Sequence, residues 1–158
     1  MNHIKNHFNS IPAKTFKIVT AIYCLLGDLL ICAYLWKKFS DFSTFLKYMN
    51  LMLSMDLESF DDQFKNQLFQ LNLQSLKAIL LVYLFLHCTI YICHILNKNF
   101  TYKYLRFLSW IAAPCCLSFG IFSLFEHGDL INSLFFAQGI LYLYVALGFY
   151  YRKEGATN

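Results

Sequence analysis

Long apolar runs dominate the hydrophobic pattern, and four of them are long enough to cross a bilayer. They cover residues 18–36, 78–96, 107–125 and 131–151. A hydrocarbon core of about 30 Å takes about 20 helical residues. Only helices and closed barrels satisfy the backbone in lipid, and barrel strands would show short alternating segments instead. The pattern therefore predicts an all-α integral membrane protein. We expect four transmembrane helices in an antiparallel bundle, forming a single membrane domain over residues 1–158.

The polar interruptions differ in kind. Residues 37–77 break the apolar pattern for long enough to form a segment of their own. Phe42, Phe45, Leu46, Met49, Met52 and Leu53 recur at helical spacing, and Leu57, Phe60, Phe64, Leu68 and Leu71 do so again. Asp56, Glu58, Asp61, Asp62 and Lys65 fall largely between them. This predicts two amphipathic helices on the outer face, breaking near residues 54–56. The second continues into the 78–96 span, because residues 70–77 hold no Gly or Pro. A typical interfacial helix is rich in Lys and Arg, so these acids favour packing on protein over anionic lipid. Met49, Met52 and Met55 form M-x2-M-x2-M. Soft thioethers suit copper(I), but the same spacing equally supplies one adaptable apolar helix side. We expect the latter, and no metal or cofactor.

Composition agrees with the membrane reading. Apolar residues are 58% and charged residues 14% of 158, against about 45–50% and about 25% in soluble domains. Disorder, a charged coiled coil and a nucleic-acid module with a basic stripe are excluded. Charge sets the expected orientation. Lys5, Lys14 and Lys17 precede the first span, Lys98, Lys103 and Arg106 join the second to the third, and Arg152 and Lys153 follow the fourth. The third link carries Glu126 and Asp129 with no Lys or Arg. The positive-inside rule then places both termini and the 98–106 loop in the cytoplasm, with Lys37 and Lys38 against the trend. Tyr102, Tyr104, Tyr150 and Tyr151 would form the aromatic belt there. The first apolar run is too long for a signal-peptide core and no A-x-A-like site follows it, so it is expected to be retained. Asn99-Phe100-Thr101 is a glycosylation triplet on the side where it would stay unused.

Candidate chemistry sits inside the spans. Counting from the span ends puts Asp28, His87 and Gln138 at similar depth on three helices. An Asp at the bilayer centre costs roughly 2.5–3.5 kcal/mol on insertion scales, so it must face protein, water or a partner. His87 is the natural hydrogen-bond partner. Tyr83, His87, Tyr91 and His94 form one stripe on the second span. Asp28, His87, Gln138 and His94 are thus an intramembrane polar cluster, read either as interhelical glue or as part of a conduit. On the third span Ser109, Ala112, Ala113, Cys116 and Gly120 recur at three- and four-residue spacing. Small residues there let helices approach closely, which marks a packing face.

Other chemistries find no support. The six cysteines lie within predicted spans and form no C-x-x-C. His87 and His94 share one helix, about 10 Å apart by rise, so they do not converge as haem ligands. No nucleotide, zincin or hydrolase motif occurs. The expectation is a non-enzymatic membrane protein that acts by homo-oligomeric assembly, in a ring enclosing lipid, with membrane lipid as a partner and no nucleic acid. Its rivals are a proton or metal-ion conduit using Asp28 and His87, and an accessory subunit of a larger complex.

Overall fold

The computed structural model describes residues 2–53, 60–127 and 130–152. Among these residues the chain forms six helices and no strand: α1 (Asn2–Ser10), α2 (Ala13–Phe39), α3 (Phe42–Leu53), α4 (Asp62–Ile95), α5 (Asn99–His127) and α6 (Leu130–Tyr151). Helices α2, α4, α5 and α6 are each long and apolar enough to cross a membrane. Met55 and the expected break at residues 54–56 lie outside the described residues, as does the side chain of Met52. Met49 is half-buried.

Local chemistry explains the helix ends. Asp41 caps α3, its carboxylate accepting from the Thr44 backbone N–H at 2.8 Å and the Ser43 hydroxyl at 2.6 Å. Asp61 caps α4 in the same way, through the Phe64 N–H at 2.7 Å. Nothing in residues 62–95 breaks the helix, so α4 runs on for 34 residues, roughly 50 Å at the helical rise. It ends in a Schellman turn. Asn97 takes φ 64°, the Lys98 N–H donates to the Cys93 carbonyl at 3.0 Å, and the Asn97 N–H donates to that of His94 at 3.1 Å.

The structure corrects one expected connection and adds one helix. The loop expected over residues 98–106 is helical from Asn99 onward, so the link between α4 and α5 is only residues 96–98. Leu96, counted within the second span, lies in that turn. The added helix is α1, ahead of the first span. Its Phe8 is buried among Phe16, Tyr144 and Tyr151. Arg152, beyond the end of α6, donates to the carbonyls of Phe8 (3.0 Å) and Ile11. Phe8 lies in the last turn of α1, where a helix leaves its carbonyls unbonded, and Ile11 follows the end of that helix.

The chain divides into two units, residues 1–31 with 86–158, and residues 32–85. The first holds a core of Phe8, Phe16, Cys24, Tyr91, Leu105, Tyr142, Val145 and Phe149. In it, α5 and α6 pack with opposite chain directions. Gly120 lies against the Phe136 backbone, and Gly139 against Leu117. A Cβ at Gly120 would sit 2.6 Å from the Phe136 nitrogen, so only glycine fits. In the second unit Phe42, Phe45 and Phe69 cluster, with centroids 5.2 and 5.4 Å from Phe69.

Candidate functional site

The first unit is organised around Asp28. Helix α2 places this residue on the stripe Thr20, Cys24 and Asp28, whose members are all almost completely buried. Asp28 itself is 0% exposed. Its Oδ2 lies 2.8 Å from His87 Nδ1 and also accepts from the Tyr91 hydroxyl. Its Oδ1 accepts from the Tyr142 hydroxyl at 2.8 Å. His87 Nδ1 also lies 3.1 Å from the Tyr91 hydroxyl, and the Tyr104 hydroxyl stands 3.4 Å from its Nε2. One carboxylate thus gathers α2, α4 and α6 directly, and α5 through His87.

Magnitudes show why the site is tolerable in a membrane. Hydrogen bonds to a charged group are worth roughly 1.5–3 kcal/mol each. Three of them offset the insertion cost of a central Asp. The arrangement can hold a negative charge, or accept a proton on a carboxylate already ringed by hydroxyl and imidazole groups.

The remaining expected residues distribute as follows. Gln138 is buried and packs on Gly27, where a Cβ would meet Gln138 Cγ at 3.5 Å. His94 is buried but sits two turns along α4 from His87, its ring 6.2 Å from that of Phe149. Ser109, Ala113 and Gly120 are buried on α5, with Ala112 and Cys116 partly so. Gly120 meets α6 of the same chain. The Ser109 hydroxyl donates to the Arg106 carbonyl at 3.1 Å.

Two tyrosines escaped the sequence reading. Tyr142 resembles any aromatic of an apolar helix; the available signal was its position one turn beyond Gln138. Tyr104 was expected in the interfacial belt, yet its hydroxyl turns to His87. All six cysteines are free thiols. No group of three or more His, Cys, Asp or Glu suited to a metal occurs among the described residues. No family model, curated protein or solved structure matches the chain.

Proposed function

We propose that the chain is a non-enzymatic, multi-pass membrane protein that acts by homo-oligomeric assembly in lipid. In this reading the four spans form an antiparallel bundle, residues 37–77 are the outer amphipathic segment, and both termini are cytoplasmic. One observation carries it. The apolar window of α4 is only 11% buried within the chain, and it presents Ile79, Val82, Phe85, Leu86 and Ile92 outward. Such a surface needs lipid or another copy against it. Meanwhile Thr20, Asp28, His94, Ser109 and Gln138 are all turned inward, which leaves few polar side chains among the described residues to line an aqueous lumen between subunits. A ring of copies would therefore enclose lipid and organise or perturb the membrane around it.

Native mass measurement of the protein extracted in its own lipid tests this. A single defined oligomer carrying lipid is the expected result, and a stable monomer overturns the reading. Asp28→Asn should disturb that assembly. Intact assembly combined with abolished pH-dependent flux in liposomes would favour the conduit instead.

A further inference from the structure

In the first unit, polar contacts tie α2 to α4 and to the turn that follows it. At one end Lys17 Nζ donates to Asn97 Oδ1, with Asn97 exposed. At the other, Asp28 meets His87. Counting inward from these two fixed contacts brings Thr20 level with His94, and Cys24 level with Tyr91. The seam therefore reads Lys17–Asn97, Thr20–His94, Cys24–Tyr91 and Asp28–His87, over roughly 16 Å of helix.

The second level is unsatisfied. Thr20 is 1% and His94 2% exposed, and neither Thr20 Oγ1 nor His94 Nε2 has a hydrogen-bond partner. Buried polar atoms in native proteins are almost always bonded, to protein or to ordered water. By this count the two residues share one depth on α2 and α4, and each can give or take a hydrogen bond.

We infer that Thr20 and His94 bind a buried water between α2 and α4, and that this water makes the seam a proton-access path from the Lys17–Asn97 end to Asp28. The groups facing the path are Lys17, Cys24 and Asp28 on α2, and His87, Tyr91 and His94 on α4. Tyr142 on α6 reaches Asp28, and Tyr104 on α5 reaches His87. A proton arriving at the membrane edge is taken up by the water, which releases another to the Cys24 thiol, one turn further along α2. The thiol passes its own proton to the Tyr91 hydroxyl. Tyr91 passes its own proton to Asp28 Oδ2 and is replenished from the water side. Each carrier gains one proton and loses one. The net change is a carboxylate converted to a carboxylic acid. This goes beyond the assembly reading and does not depend on it.

The test uses the full chain, ¹⁵N-labelled at histidine, in phosphatidylcholine bilayers. Solid-state NMR should show magnetisation passing from water to His94 Nε2, and its absence overturns the site. Deuterium exchange at the His87 ring N–H should slow by roughly 100-fold in Thr20→Val/His94→Phe, the low end of what a positioned proton-transfer group contributes. Thr20→Ser/His94→Gln keeps the polar atoms and should exchange near the wild-type rate. Ser109→Ala removes a buried hydroxyl outside the seam and should leave the rate unchanged. An unslowed Val/Phe variant, or equal slowing in Ser109→Ala, refutes the path. If the Val/Phe variant fails to fold, the water contact in the wild type decides.

Discussion

Helices α5 and α6 and helices α2 and α4 meet within one unit, yet they are held by different materials. The α5–α6 contact is steric. Gly120 and Gly139 bring backbone against backbone, and Phe119 and Phe135 close the adjacent space at 4.8 Å. The α2–α4 contact is made by hydrogen bonds to a fully buried carboxylate, Asp28, from His87 and Tyr91. Lipid offers helices no hydrophobic reason to associate, so packing and hydrogen bonding are the available means. This chain uses one for each pair. The steric contact has no titratable group at its closest approach, whereas the polar one is built on Asp28 and His87.

Removing the carboxylate should produce the largest effect. Asp28→Leu leaves the His87, Tyr91 and Tyr142 donors without their acceptor. Breaking a buried charged network by removing one partner costs roughly 3–5 kcal/mol. Thermal unfolding in mild detergent should show a loss of that size. A variant as stable as the wild type would mean that the seam contributes nothing to holding α2 and α4.

Gly120→Ala should cost less, roughly 1–3 kcal/mol, the usual range for overpacking a closed contact. The Phe136 backbone cannot move aside as a side-chain tip could. The close approach contains no titratable group, so the same penalty is expected at pH 5 and pH 8. A penalty that varied between those two conditions would erase the contrast between the contacts. Tyr142→Phe ranks next. It deletes one donor to Asp28 while keeping the ring that packs on Gly27. A cost of about 1.5 kcal/mol is expected, the lower end for a hydrogen bond to a charged group.

The same contrast governs what was legible in the sequence. Four helices that could span a membrane follow from run length alone, because chain position sets depth when 1.5 Å per residue is fixed. That depth arithmetic also brought Asp28 and His87 together. It says nothing of rotation about a helix axis, so Tyr104 and Tyr142 could not be seen turning inward. Gly120 was visible because small residues recur around it on α5. Gly139 has no such neighbours in sequence, and its role exists only opposite Leu117. Helix α1 was hidden for another reason. Its stability comes from Arg152, over 140 positions away, and from the Phe8 contacts with α6.

The smallest expected effect lies outside the spans and supplies the control for any pH experiment on the seam. Asp41 is fully exposed, and the Ser43 hydroxyl, then the Thr44 backbone N–H, hold its carboxyl below the usual carboxylate range. A carboxyl lowered on folding stabilises above its unfolded pKa, and that contribution is lost as pH falls through the folded value. Helix α3 should therefore loosen only in acid, below the ordinary Asp range. Asp41→Asn retains a capping oxygen without the titration and should flatten this step, as read by amide exchange in α3 between pH 2 and pH 7. Exchange at His87 should be unaffected by that substitution. If it changed, the proton response assigned to the α2–α4 seam could not be separated from an exposed cap, and the distinction between the two helix contacts would lose its experimental footing.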